Sequence, residues 1–430
     1  MDPYRYLIQP ALSKGLPVSP VAELDPQAVS AAGWNVLDDE LPYPLAILKA
    51  SALTHNSAWM NSFLQRFDVT LAPHGKTTMS PALFQRQLAD GAWGITAATV
   101  QQAAVMFAFG VRRVLMANQL AGTAAQRWAF QILAERPDVE FMAVVDSLEG
   151  IAALDRVGRE LEAGRPLPLL VELGIEGGRT GARSIEAGLT LAKAVAASPV
   201  LRLVGIEGYE AVFPASSPEA KAEGIRKFVA DLGELAARCA KAGLFSEETI
   251  LLSAGGSAYF DLVTALPRRL EGRPTRIVLR SGCYLTHDDG HYRHLWAQLA
   301  QRAPEIGPLG EGLQPALEIW SVVQSTPEPG LAILTMGKRD VSYDMDLPMP
   351  RWHVQGHAAA LSRTDAHPSW RISALNDQHA FLRGEPDTLP AIGDRIGCSI
   401  SHPCTTFDKW RVVLMVDDDY RVVESLTTWF

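Results

Sequence analysis

"FDVTLAPHGKTTMSPALFQRQLADG", residues 67–91, holds one complete strand–loop–helix unit. A β-rich apolar run, "FDVTLA", stops at a proline, a histidine and a glycine, and Lys76 follows. The next stretch, "SPALFQRQLADG", is amphipathic and closes on a glycine, the residue that a helix C-terminus favours because it accepts a left-handed backbone. The same grammar recurs along the chain. Apolar runs return as "WGITAA" (93–98), "RVLMA" (113–117), "VEFMAVV" (139–145), "PLLVEL" (168–173), "LRLVGIE" (201–207), "TILLS" (249–253) and "TRIVLR" (275–280). Helical patterns such as "TVQQAAVMFAFG" lie between them. Eight nearly continuous apolar strands with intervening helices predict a closed (β/α)8 barrel rather than an open doubly wound sheet.

After about residue 305 the pattern changes to strands and turns: "ALEIWSVVQS", "GLAILTMG", "WRISALND", "GDRIGCSI" and "KWRVVLMVDDDYRVVESL". This predicts a C-terminal antiparallel β domain. "PYPLAILKAS" (42–51), ahead of the barrel, is expected to add a strand to it. The expected organisation is an N-terminal segment over 1–55, a cofactor-binding barrel over 56–300 and a β domain over 301–430. A barrel takes about 250 residues, so the 430 residues suit two domains.

The bulk composition excludes several classes. With 47% hydrophobic and 20% charged residues the chain is neither disordered nor a membrane protein, and no run is long enough to span a bilayer. A net charge of -9 argues against nucleic acid and for a small-molecule partner. Cys239, Cys283, Cys398 and Cys404 form no C-x-x-C and read as reduced thiols. The N-terminus, "MDPYRYLIQPALSKGLP", lacks the pattern of a secretory signal, so a cytoplasmic location is expected.

Barrel active sites sit at the C-terminal ends of the strands, and the residues there carry chemistry. Lys76 follows the first strand, Arg179 in "GIEGGRTGAR" the fifth and Tyr209 in "EGYE" the sixth. "SAGGS" follows the seventh and "SGCY" the eighth. A buried ammonium is costly unless paired, neutralised or covalently bonded, although a lysine in a loop is more often simply exposed. The turn of Ser253, Gly255, Gly256 and Ser257 presents N–H groups and hydroxyls to an anion, and Gly282, Cys283 and Tyr284 supply a second small turn beside it. Either turn alone is commonplace, but the pair in these two loops favours a phosphorylated ligand. A lysine with a phosphate clamp fits pyridoxal phosphate, which a lysine holds as a Schiff base. Lys49 in "AILKAS" is a rival and is assigned to the other domain.

In "GDRIGCSISHPCTTFDKW", an extended backbone would put His402 and Cys404 on one face, where imidazole and thiolate can bind one cation. Two ligands make an open site, completed by water and substrate or by a distant residue. His379 in "NDQHAF" is a candidate for that ligand or for acid–base work, whereas His291 and His294 read as helix surface. An isolated H-x-C is weak evidence by itself.

These residues, in this order, resemble the D-serine dehydratase and D-threonine aldolase family of pyridoxal-phosphate enzymes, which are alanine-racemase-like. The likeness runs from about residue 40 to the end and rests on P-H-x-K-T at Pro73, His74, Lys76 and Thr77 and on R-T-G at Arg179 to Gly181. It continues with G-Y at Gly208 and Tyr209, the loop Ser253 to Ser257, G-x-Y at Gly282 to Tyr284, and H-x-C at His402 and Cys404. The resemblance implies a barrel with a C-terminal β domain, a homodimer, cofactor on Lys76, and a metal on His402 and Cys404: zinc first, with manganese or cobalt as alternatives. It further implies Arg179 near the cofactor's phenolic oxygen and Tyr209 near its ring nitrogen. Two departures stand out: Thr77, Thr78 and Met79 replace a frequent T-H-K, and Gln378 replaces an acid before His379. The expected activity is dehydration of a β-hydroxy D-amino acid such as D-serine or D-threonine to a 2-oxo acid and ammonia. Retro-aldol cleavage to glycine and an aldehyde is the alternative, and a non-catalytic cofactor carrier is the rival from another class. Cys404 favours the dehydratase, since aldolases of this family tend to have an aspartate there.

Overall fold

The computed structural model describes residues 13–17, 26–38, 40–356 and 363–430. Residues 1–12 and 18–25, on which part of the reading of the N-terminus rests, lie outside the described residues. The first strand, β1 (Leu45–Lys49), precedes the barrel. The eight apolar runs form β2 (Thr70–Leu71), β3 (Ile95–Ala97), β4 (Arg113–Gln119), β5 (Glu140–Val145), β6 (Leu167–Leu173), β7 (Leu201–Gly208), β8 (Ile250–Ala254) and, after a short β9 (Arg269–Leu270), β10 (Arg273–Leu279). They pair in parallel in the order β2-β10-β8-β7-β6-β5-β4-β3. The two ends of that order meet at a bridge between His74 and Thr96. There Trp93 N–H donates to Leu71 O at 2.7 Å and Thr96 N–H to Pro73 O at 2.9 Å. The closing seam of the barrel is therefore the stretch that leads into Lys76.

Alternation explains why each strand is apolar on both faces. In β6, Leu170 joins Ala72, Leu115, Val204 and Val278 in one cluster, while Leu169 and Val171 belong to a separate, larger one that takes in the helices. Helix starts are marked by hydroxyls, as at Ser147, Ser184 and Ser217, each of which accepts a hydrogen bond from the backbone N–H three residues on. No helix among the described residues is long and apolar enough to cross a membrane.

The rest of the chain forms β11 (Leu317–Glu328), β12 (Leu331–Leu334), β13 (Met349–Val354), β14 (Thr364–Asp365), β15 (Arg371–Leu375), β16 (Ala380–Arg383), β17 (Arg395–Ser399), β18 (Val412–Val416) and β19 (Val422–Thr427). With β1 they make a second sheet. It is not purely antiparallel, because β1 pairs antiparallel with β11 but parallel with β18. The whole barrel intervenes between β1 and this domain, so no hairpin dictates the direction of β1. Sequence patterning missed β13 because Pro348 and Pro350 read as breakers; a register shift at Pro350 accommodates the proline. Lys49 lies in this second sheet, 3.4 Å from the buried carboxylate of Glu318, which also accepts from the indole N–H groups of Trp320 and Trp352.

Candidate active site

The turn after β2 is one turn of 3-10 helix, Gly75–Thr77. A Cβ on Gly75 would lie 2.9 Å from Ile95 Cγ2, so only glycine lets the backbone press into the core here. That leaves the Lys76 side chain exposed on the barrel rim rather than buried in its wall. Beside it, His74 Nδ1 is buried without a partner. Burial first, and then the positive charges of Lys76, Arg280 and Arg179, hold its imidazole well below the usual histidine range, so it is neutral at pH 7.

Further strand ends on the same rim carry the other candidates. The Arg179 guanidinium lies 4.5 Å over the Tyr209 ring. Burial, aided by the Glu210 charge, pushes the Tyr209 phenol up to about 12, so it stays protonated. Gly256 is needed for the approach of this ring, as a Cβ there would sit 3.0 Å from Tyr209 Cε2. The "SAGGS" turn does bind an anion, and in this structure the anion is the chain's own: Gly255 and Gly256 N–H donate to the two oxygens of Glu210 at 3.0 and 2.8 Å. Cys283 N–H donates to Ser257 Oγ at 3.2 Å and Ser281 Oγ to Gly256 O at 3.0 Å, knitting the two small-residue turns together. A Cβ on Gly282 would come within 2.6 Å of both His74 O and Thr77 Oγ1. Three loops thus meet at one point.

Two side chains expected here point elsewhere. The Ser253 hydroxyl is still inside the barrel wall, donating to Val278 O at 2.9 Å and accepting from Arg280 Nη1 at 2.6 Å. The Tyr284 phenol is buried against Gln87 of the helix Pro81–Ala89, and burial raises its pKa. Only the backbone at these two positions remains near the turns. His379 lies exposed at the tip of the hairpin between β15 and β16, its carbonyl accepting from Asn376 N–H at 2.8 Å. Within one chain it takes no part in the hydrogen bonds that join the other candidates.

Sequence reading missed the support beneath the site. Arg280 and Glu207, 6% and 2% exposed, form an ion pair of 2.9 Å, and Arg280 also donates to Gly208 O at 2.8 Å. Burial outweighs the pull of Arg280 and raises Glu207 to about 7. The signal was available: a charged residue at the inner end of two apolar runs, "TRIVLR" and "LVGIE". Arg280→Met strands a buried carboxylate and is expected to cost about 3 kcal/mol, read as a lower urea midpoint. The loss shrinks as pH falls through about 7, where Glu207 takes up a proton and no longer needs its partner.

His402 and Cys404 come together differently from the expected extended strand. Pro403 is helical (φ -62, ψ -44) and Cys404 opens a four-residue helix, Cys404–Phe407, since proline suits the start of a helix and not the middle of a sheet. His402 Nδ1 lies 2.6 Å from Asp344 Oδ2, and Thr405 Oγ1 donates to Asp344 Oδ1 at 2.7 Å. Burial opposes a charge on His402, but hydrogen bonds and attraction from Cys404 and Asp344 win and raise it to about 9. The hydrogen bond from Cys283 and those of His402 and Thr77 hold Cys404 well below the usual thiol range. Each group thus favours the charged form of the other, imidazolium beside thiolate. Cys404 Sγ is 3.5 Å from Thr77 Oγ1, across 327 positions of sequence, which sets the pair directly on the lysine loop. His291, read as helix surface, is half-buried, and its pKa is lowered by burial and by the charge of His402.

The residues fit both groups the sequence implied. An exposed amine and an orphaned imidazole nitrogen beside two small-residue turns suit a phosphorylated aldehyde, whose phosphate would have to displace Glu210 from the Gly255 and Gly256 N–H groups. Among the described residues no three His, Cys, Asp or Glu side chains are arranged to hold a metal ion. With Asp344 on Nδ1, however, His402 Nε2 and Cys404 Sγ remain as two donors of the kind zinc prefers.

Comparison with known proteins agrees. A family model described as "Putative serine dehydratase domain" matches residues 316–416, most of the β domain. A D-threonine aldolase of Arthrobacter sp. is 25% identical over 386 residues, covering 89% of this chain and 90% of that one. The crystal structure of D-threonine aldolase from Filomicrobium marinum superimposes with a TM-score of 0.72 at 23% identity, covering 92% of this chain and 97% of that one. D-threo-3-hydroxyaspartate dehydratase from Delftia sp. HT23 is 30% identical over 152 residues, 35% of this chain and 39% of its own. Its structure gives a TM-score of 0.69 at 21% identity, covering 92% of this chain and 99% of that one. Two solved variants of that dehydratase replace a histidine and a cysteine two positions apart with alanine, the cysteine variant in metal-free form.

Proposed function

We propose that the chain belongs to the family of D-threonine aldolases and D-serine dehydratases and that it is a lyase that dehydrates a β-hydroxy D-amino acid to a 2-oxo acid and ammonia. The observation that carries the proposal is the seat of Cys404 Sγ, 3.5 Å from the hydroxyl of Thr77, the residue after Lys76. It supports a two-donor cation site on the loop that carries the lysine. Lys76 holds pyridoxal phosphate, which when bound supplies a sink for negative charge at the substrate's α-carbon. His402 and Cys404 hold a divalent cation, which supplies a Lewis acid for the poorly leaving β-hydroxyl. The freed Lys76 amine takes the α-proton at Nζ. Arg179 and Tyr209 bind and orient on the opposite side of the rim, Tyr209 as a neutral donor. Neutral His74 fills the wall behind without adding a charge.

Retro-aldol cleavage is the second reading, favoured by the aldolase relative that spans most of the chain. Cys404 supports dehydration, because the solved variants of the Delftia dehydratase also replace a histidine and a cysteine two positions apart, the spacing of His402 and Cys404, and the cysteine variant is in metal-free form. Incubation with D-threonine, pyridoxal phosphate and a divalent metal separates the readings. 2-Oxobutanoate with ammonia is expected; glycine with acetaldehyde would move the chain to the aldolases.

Two further expectations concern the cation. Asp344→Asn weakens the hydrogen bond that orients His402, and metal affinity should fall about 10- to 100-fold in a competition titration, with cofactor binding unchanged. Binding must also displace the proton that His402 keeps up to about 9, whereas the Cys404 thiol is held below its usual range. Metal affinity should therefore rise about tenfold per pH unit from 7 to 9 and then level off. A flat profile would mean that His402 is not a ligand.

A further inference from the structure

Cys283 and Cys404 stand 121 positions apart, one in the turn after the last barrel strand and the other on the β domain, yet their sulfurs are 3.6 Å apart. Cys283 is 4% exposed, whereas Cys404 is partly accessible. The Thr77 hydroxyl lies to one side of both, 3.8 Å from one sulfur and 3.5 Å from the other. The other two cysteines are buried far from this point, Cys239 in the helix Pro218–Lys241 and Cys398 in β17. The dehydration proposed above uses Cys404 as a ligand and asks nothing of the Cys283 thiol. A buried thiol opposite an accessible one is the layout of a resolving cysteine beside an oxidant-reactive one.

We propose that Cys283 and Cys404 are a redox-active pair, joined by oxidation into a disulfide that takes Cys404 Sγ out of the metal pair and ties the β domain to the barrel. A disulfide needs about 2.05 Å between sulfurs, so they must close by about 1.5 Å. The oxidant is a low-molecular-weight disulfide of the glutathione class. Cys404 thiolate attacks one of its sulfurs, forming a mixed disulfide and expelling one thiolate. Cys283 then gives up its proton, and its sulfur attacks Cys404 Sγ and expels the second small thiol. Two protein thiols and one small disulfide become one protein disulfide and two small thiols, and excess reductant reverses the exchange. The switch of activity rests on the proposed role of Cys404, whereas the bond itself does not.

The test uses the full-length chain, freed of metal, equilibrated in buffers of increasing glutathione disulfide to glutathione ratio and then alkylated. Two of the four thiols should disappear and return with dithiothreitol. Mass spectrometry should find tryptic peptide 281–293 linked to 396–409, with fragmentation placing the bond on Cys404 and not on Cys398. Cys283→Ser, which keeps a small polar side chain, should stop at a glutathione adduct on Cys404. Four thiols surviving at every ratio, or a wild-type adduct as persistent as that of Cys283→Ser, would overturn the proposal. Zinc added before the oxidant should slow cross-linking about tenfold, as a bound thiolate is a poor nucleophile; an unchanged rate would overturn the link to the metal pair. These readouts need no turnover, so an inactive protein that still cross-links would refute the proposed dehydration and leave the pair standing.

Discussion

Lys76→Ala is expected to lower kcat on β-hydroxy D-amino acids by about 10^4-fold or more, because it removes both the covalent anchor of the cofactor and the base at the α-carbon. The fold should survive, since the turn around residue 76 is held by its backbone, with Met79 N–H on Gly75 O at 2.9 Å, and by the close packing of Gly75. Lys49, the other lysine at a strand end, is not placed to step in: it sits in the second sheet with its ammonium 3.4 Å from Glu318. Borohydride reduction of the wild-type protein loaded with pyridoxal phosphate should leave a stable adduct on Lys76, identified by peptide mass. The variant should give no adduct. An adduct on Lys49 would displace the whole site to the β domain.

Cys404→Ala should reduce elimination by about 10^2- to 10^3-fold and remove its dependence on divalent metal, the scale of several kcal/mol that a Lewis acid supplies. Cofactor attachment to Lys76 should be untouched, because Cys404 meets that loop only at Thr77 Oγ1 and at Cys283. A second readout does not depend on turnover. Without the thiolate, the metal-free His402 loses the largest of the interactions that raise it to about 9, and its NMR titration should move down. Full activity in this variant would remove the metal pair from the mechanism. Cys404→Asp probes the branch between reactions: the share of glycine and aldehyde among the products should rise if the thiolate is what favours loss of the hydroxyl.

The eight strand–helix units and the residues just past each strand were legible because they are local. Alternation, glycine at helix ends and hydroxyls at helix starts operate within one window of chain, and the barrel rule then points to Lys76, Arg179, Tyr209 and the two small turns. His402 and Cys404 were legible as a pair of donors, but their geometry was not, since Pro403 turns the chain into a helix where alternation suggested a strand. Ser253 and Tyr284 were read as facing a ligand, yet the hydroxyl is spent on Arg280 and the phenol on Gln87.

By itself, then, the sequence determined the eight strands of the barrel, the place of the lysine at a strand end and the chemical types available around it. Only the tertiary structure decided what those groups meet. The His74–Thr96 bridge that closes the barrel, the Arg280–Glu207 pair beneath the rim, and Asp344 behind His402 all join residues at least 22 positions apart, and Thr77 meets Cys404 across 327. Such meetings follow from the order of strands in a closed sheet and from how the β domain docks on it. Both are set by burial of the whole core, and no short window of side chains contains that information.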